Sequence, residues 1–307
     1  SISADVPAVA IPAMPVVPAV PAPVVVPAPV ATPPPVVPAP APSGQPMASV
    51  IWRDGANVRT GPGSNTIIVK LAFNTALVIL DVQPEPNSAY RWVKITLPTG
   101  GEGWMREDTL RYNASAASLG LTKADLYPPP MASCWWVRGF VGPLPEHTGW
   151  DLGAKTGEPI TCGPLGGLVI KSLACAKCTP ERPSVKEYGI QVGDASIFTD
   201  ASWNFGYGHY IIVRYLNEHL PASTQQALTK RGLGGMHLYC MYAHLNSRAV
   251  EAGQPLAPNT VIAGCGDTGN SEATHLHLEM RASANANDSN FAGMKKNLLD
   301  PGLLFSR

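Results

Sequence analysis

The sequence predicts a mainly β protein of two modest domains behind a proline-rich segment. Residues 1–47 are almost only Pro, Ala and Val; residues 49–113 hold short apolar runs broken by Gly and Pro. Further strand-length runs fill the C-terminal half, with almost no helical periodicity among them. The 307 residues are enough for two domains rather than one.

In the N-terminal stretch Asp5 is the sole charge, which raises the question of a membrane span. Proline recurs throughout it, however, and each proline costs about 3 kcal/mol inside a helix. A spanning helix needs about 20 uninterrupted apolar residues, so no transmembrane segment is expected. Residues 1–48 read instead as an extended polyproline-like or disordered spacer, on the order of 140 Å if fully stretched. Docking onto another protein's proline-binding domain is the rival reading. The chain starts at Ser1 rather than methionine, as a processed export signal or a trimmed chain would.

Between residues 49 and 113, apolar runs at 66–71, 76–82 and 92–97 are separated by turns such as Thr60-Gly61-Pro62-Gly63. Runs of about six residues at this spacing indicate a small antiparallel barrel. Trp92, Val93, Ile95 and Trp104 are its expected core. The succession Asn57-Val58-Arg59-Thr60-Gly61-Pro62-Gly63-Ser64, Trp92-Val93-Lys94-Ile95 and Gly103-Trp104-Met105 resembles a bacterial SH3-like domain. That resemblance implies binding to cell-wall peptides, so that an attached hydrolase is held on the wall; a spacer without a ligand is the alternative. Residues 114–130, ending in Pro128-Pro129-Pro130, read as an interdomain linker with few contacts across it.

Residues 131–307 carry strand signals at 168–173, 210–215, 238–244, 261–263 and 275–280, and a helical pattern only within 223–230. Side chains two apart on a strand share a face. His275 and His277 therefore point into one groove, and alternation groups Tyr242 with His244. Gly149 argues for a loop or bent strand between His147 and Asp151.

His147, Asp151, His244, His275 and His277 carry the chemistry. Imidazole and carboxylate bind zinc well, and a catalytic zinc keeps about three protein ligands beside an open position. Five candidates exceed that need, which leaves histidines free to handle protons. No His-Glu-x-x-His motif supplies a glutamate base, and Tyr215 stands where the inverted form ending in Glu218-His219 requires histidine.

The run His147-x-x-x-Asp151-Leu152, Gly206-Tyr207-Gly208-His209-Tyr210, Tyr242-Ala243-His244-Leu245, Gly253-Gln254-Pro255-Leu256 and His275-Leu276-His277 resembles the lysostaphin-type zinc endopeptidases. Residues 264–270 belong to the same match, which spans most of 134–307. The resemblance implies a β-sheet groove walled by loops and zinc held by His147, Asp151 and His277. It makes His244 and His275 the catalytic histidines, and peptidoglycan peptides the substrate. Which histidine acts as base stays open. Glu279 either orients an imidazole or is a surface carboxylate. His209, where the family commonly has Asn, either lines the groove or closes a turn. Residues 172–204 and 216–235 are longer insertions, expected as loops beside the groove.

Six cysteines all lie after residue 130 and suggest an oxidising, extracytoplasmic setting in which some pair, with connectivity open. Cys175-Ala176-Lys177-Cys178 also invites a redox or structural-zinc reading. Formal charge is zero, with 22 basic and 22 acidic residues, which argues against nucleic acid as partner. The expectation is an exported zinc endopeptidase. The alternatives are a non-catalytic wall-binding or hydrolase-activating protein of the same fold, and a surface-layer component with an incidental metal.

Overall fold

Alternating apolar residues build the first sheet from seven strands. They are β1 (Met47–Val50), β2 (Ala56–Arg59), β3 (Ile67–Leu71), β4 (Ala76–Pro84), β5 (Arg91–Thr96), β6 (Glu102–Arg106) and β7 (Leu110–Tyr112), in the order β3-β2-β6-β5-β4-β1-β7. The computed structural model describes residues 44–144 and 146–307, so the expectation for residues 1–43 of the spacer lies outside the described residues. Val50, Val58, Ile79, Val93, Ile95, Met105 and Leu110 form the core of this sheet. Trp104 departs from expectation: on β6 alternation turns Gly103 and Met105 inward and leaves the indole half-buried.

Residues 131–307 form two more sheets. Their strands are β8 (Trp135–Arg138), β9 (Gly149–Gly153), β10 (Pro159–Thr161), β11 (Gly167–Leu173), β12 (Tyr210–Tyr215), β13 (His237–Ala243), β14 (Leu245–Arg248), β15 (Pro255–Leu256), β16 (Val261–Cys265), β17 (His275–Ser283) and β18 (Leu298–Leu299). The larger sheet runs β15-β11-β12-β13-β17-β9-β8 with β18 on β17, and the smaller one β10-β16-β14. A single α-helix among the described residues, α1 (Ala222–Lys230), covers the one segment with helical pattern and starts one residue before it.

Period-two alternation gives the large sheet two different faces. Ile211, Val213, Tyr242, Leu276, Leu278 and Met280 pack into the main core. Tyr210, Ile212, Tyr239, Met241 and Ala243 form a smaller cluster on the other face, with Phe291 and Met294. On β17 the residues opposite to the core-facing ones are His275, His277, Glu279 and Arg281.

The two insertions part company here. Leu220 and Leu228 join the main core, so 216–235 lies against the face away from the histidines rather than beside the groove. The 172–204 insertion has a core of its own, Cys175, Cys178, Val185, Ile197 and Trp203. Cys175 and Cys178 form a disulfide, which replaces the structural-zinc reading of that pair. Cys134, Cys162, Cys240 and Cys265 are buried free thiols.

The linker also differs from expectation. Tyr127 is 1% exposed and packs edge-on against Tyr215 and Phe305, and Asp125 accepts the backbone and hydroxyl protons of Ser223. Burying an aromatic ring there outweighs the loosening effect of the following prolines. Contacts between the two β domains are many rather than few. Ile51 of the first domain belongs to the main core, Trp136 N–H donates to its carbonyl at 2.8 Å, and Arg111 donates to the Cys134 and Arg307 carbonyls.

Candidate active site

Antiparallel pairing of β9 with β17 sets His277 opposite Asp151 and Glu279 opposite Gly149. Only glycine fits at 149, since a Cβ there would lie 2.2 Å from the Leu278 carbonyl oxygen and 3.1 Å from the His277 ring. His147, just before β9, turns onto the same carboxylate. His147 Nε2 lies 2.9 Å from Asp151 Oδ2, and His277 Nδ1 lies 2.9 Å from Asp151 Oδ1. Ligand atoms of His147, Asp151 and His277 all fall within 4.8 Å of one another.

The far nitrogen of each ring is engaged as well. His147 Nδ1 meets the Gly139 carbonyl at 2.7 Å, and His277 Nε2 faces Glu279 Oε2 at 3.4 Å. With an ion bound, these outer acceptors would take the ring N–H groups and leave the inner lone pairs to the ion. Lone pairs facing a carboxylate repel unless a cation or proton lies between them. Two imidazole nitrogens and one carboxylate oxygen suit zinc.

Titration behaviour reflects the same geometry. Burial works against ionisation of Asp151, yet hydrogen bonds to His147 and His277 hold its carboxyl far below the ordinary range. Burial also works against a charged His277, but hydrogen bonds to Asp151 and Glu279 prevail and push it up to about 9. In the metal-free chain a proton thus sits where an ion would.

Glu279 is fully buried, so the surface reading fails. Its carboxylate accepts from the Thr148 hydroxyl at 2.8 Å, the Tyr207 hydroxyl at 3.0 Å and Arg281 Nε at 2.7 Å. Burial opposes its charge, while His277 and Arg281 outweigh that and lower its pKa to about 2. Thr148, Tyr207 and Arg281 were missed in the sequence. Arg281 shares the strand face of Glu279 two residues on, a signal alternation could have supplied.

His244 and His275 lie beside this group. Strand alternation would have put His244 on the back face with Tyr242. Instead it follows the last residue of β13 with φ +60°, a left-handed backbone that turns its ring to the groove side. Its N–H donates to the Tyr207 carbonyl at 2.9 Å, and its Nδ1 meets the Thr268 carbonyl at 2.7 Å. His275 Nδ1 meets the Ala273 carbonyl at 2.8 Å, with His275 Nε2 3.7 Å from Asp151 Oδ1. Burial, then the neighbouring His275 and His277, hold the His244 pKa well below the usual imidazole value, so its ring stays neutral. His209 ties separate loops together: its Nδ1 accepts the Cys175 N–H at 2.8 Å, and its own N–H donates to Thr268 Oγ1.

A bacterial SH3 domain model matches residues 54–111, and the model of peptidase family M23 matches residues 192–290. The chain carries an M23 peptidase domain. Within the matched stretch of that domain lie His244, His275 and His277; strand pairing and the turn before β9 bring His147 and Asp151 to them. M23 is a family of metallopeptidases, and the chain joins such a domain to an SH3 domain. Among solved structures, the catalytic domain of lysostaphin from Staphylococcus simulans is 18% identical, covering 61% of this chain and 94% of that one at a TM-score of 0.31. A zinc-containing peptidase from Vibrio cholerae is 16% identical, covering 65% of this chain and 46% of that one at a TM-score of 0.30. No curated protein matches the chain in sequence. No helix of the described residues is long and apolar enough to cross a membrane.

Proposed function

We propose that the protein is an exported zinc endopeptidase that cleaves peptide cross-links of bacterial peptidoglycan, held on the wall by its SH3-like domain. In this reading His147, Asp151 and His277 hold the ion, and His244 and His275 move protons. The observation that carries it is the convergence of two imidazole nitrogens on the Asp151 carboxylate beside a second histidine pair.

Bound zinc supplies Lewis acidity and lowers the pKa of water toward about 7. The chain's own residues do the rest. Glu279 holds His277 with its inner nitrogen free, and the Gly139 carbonyl does the same for His147. His244, neutral and with Nδ1 engaged by Thr268, keeps its Nε2 lone pair to accept a proton. His275, held by Ala273, offers a second proton-handling group at the same site.

The test is digestion of purified peptidoglycan of several cross-link types by the zinc-loaded protein, with new amino termini identified by mass spectrometry. New termini within cross-link peptides, absent after metal removal, are expected. Intact muropeptides from every wall type would remove peptidoglycan as the substrate.

A further inference from the structure

Loop 266–273 supplies the acceptors that orient both proton-handling histidines, since Thr268 and Ala273 carry the carbonyls facing His244 and His275. That loop is held by the 172–204 insertion. Val185 N–H donates to Gly269 O at 3.0 Å, Gly269 N–H to Pro183 O at 2.9 Å, and Gly193 N–H to Asn270 Oδ1 at 2.8 Å. The Ser184 hydroxyl, fully buried, donates to the Ser271 carbonyl at 2.5 Å.

One side chain of the insertion reaches further than these ties. Lys186 Nζ donates to Asp267 Oδ2 at 2.5 Å and to the Glu272 carbonyl at 2.7 Å. The other oxygen of Asp267 accepts the Ser271 hydroxyl at 2.6 Å. Ser271 has one hydroxyl proton and two acceptors in reach, the Asp267 carboxyl oxygen and the Ala273 carbonyl at 3.0 Å, and the carboxyl oxygen is the nearer. Its oxygen therefore presents a lone pair toward His275 Nδ1, 3.3 Å away, beside the Ala273 carbonyl. Two acceptors thus keep the His275 proton on Nδ1 and its ring fixed, with Nε2 toward the Asp151 carboxylate.

We propose that Lys186 is a positioning residue for His275, acting through Asp267 and Ser271. The inference rests on the reading of His275 as a proton-handling group. Lys186 arrives on a firm base: it lies in a 3-10 turn (Val185–Tyr188) whose start is closed by a reciprocal Ser184–Glu187 capping box. Its side chain is 37% exposed, so as an ion pair it contributes little to stability. What it does is bridge Asp267 to the Glu272 carbonyl, so that the Ser271 oxygen stays where the imidazole N–H needs it.

The experiment compares full-length, zinc-loaded wild type with Lys186→Met, Lys186→Arg and Asp267→Asn. Hydrogen exchange of the His275 Nδ1–H, followed by NMR on protein labelled in histidine nitrogen, reads the proposal without any turnover. Exchange about tenfold faster in Lys186→Met and Asp267→Asn, and near wild type in Lys186→Arg, is the expected result. On a wall peptide that wild type cleaves, kcat falls about ten- to a hundredfold in Lys186→Met, with KM and zinc content unchanged. Unaltered His275 exchange in Lys186→Met overturns the inference, as does a Lys186→Met protein that no longer folds, which would make the lysine a folding residue. If wild type cleaves no wall peptide, the proposed function falls while the exchange result still decides the role of Lys186.

Discussion

The imidazoles of His244 and His275 lie 4.7 Å apart, each tethered through Nδ1 to a carbonyl of one loop, Thr268 for the first and Ala273 for the second. One loop therefore sets two rings. A ring held in this way keeps its tautomer, which a proton acceptor needs before a substrate arrives.

Removing His244 separates chemistry from metal binding. His244→Ala is expected to keep zinc and fold while losing about a hundred- to ten-thousandfold in kcat/KM. His275→Ala behaves alike, whereas His277→Ala loses metal and activity together. Zinc content and turnover on the same three preparations are the measurement. A zinc-loaded His244→Ala enzyme with near-normal turnover removes that residue from the mechanism, and zinc loss in His275→Ala alone exchanges the two roles.

Asp151 is the hub of the proposed metal set, since both His147 and His277 point at its oxygens. Asp151→Ala should bind zinc poorly, because the only charged donor is gone. Full zinc occupancy by elemental analysis in that variant would refute the assignment.

Glu279→Gln keeps the size of the side chain and removes its charge. Replacing a carboxylate that orders a metal-binding imidazole typically costs about ten- to a hundredfold in metal affinity. Competition with a chromogenic chelator reads this directly; an unchanged zinc affinity would reduce Glu279 to a packing role.

The metal-free protein should have a distinctive pH dependence. His277 has its pKa raised to about 9 from an unfolded value near 6.5, so its contribution is full below about 6.5 and is lost as pH rises through about 9. Glu279 has its pKa lowered to about 2, so its contribution is present above about 4.5 and is lost as pH falls toward 2. Melting temperature after metal removal should thus decline from pH 7 to 10. With zinc in place of the His277 proton that decline should vanish, and parallel declines in both forms would contradict the account.

Cutting the chain before Met131 should weaken the peptidase domain, because Ile51 and Tyr127 both belong to its core. Tyr127→Ala in the full chain is expected to cost about 3–5 kcal/mol, by analogy with other buried aromatic truncations. Calorimetry of the full chain and of residues 131–307 checks both statements. Equal melting temperatures would restore the picture of a loose linker.

Strand periodicity was legible because it is local. The runs at 168–173, 210–215 and 275–280 become β11, β12 and β17, and alternation alone turns His275, His277 and Glu279 to one side. The cysteine pair at 175 and 178 was visible as a motif, but whether it held metal or closed a disulfide depended on the core that Trp203 and Val185 build around it.

The sequence by itself determined the mainly β character, the SH3-like and peptidase segments, and the set of residues able to bind an ion, because spacing and side-chain chemistry are written in the chain. Tertiary structure alone decided how those residues meet. The β9–β17 register brings Asp151 to His277 across 126 positions, and Tyr207 reaches Glu279 across 72. The left-handed backbone of His244 overrides the strand alternation that would have hidden it. The 216–235 insertion settles behind the sheet because Leu220 and Leu228 find the main core there, and the 172–204 insertion stays at the site because its backbone finds partners on loop 266–273. Each of these is a long-range contact whose free energy depends on what the rest of the chain buries, and no local pattern encodes that.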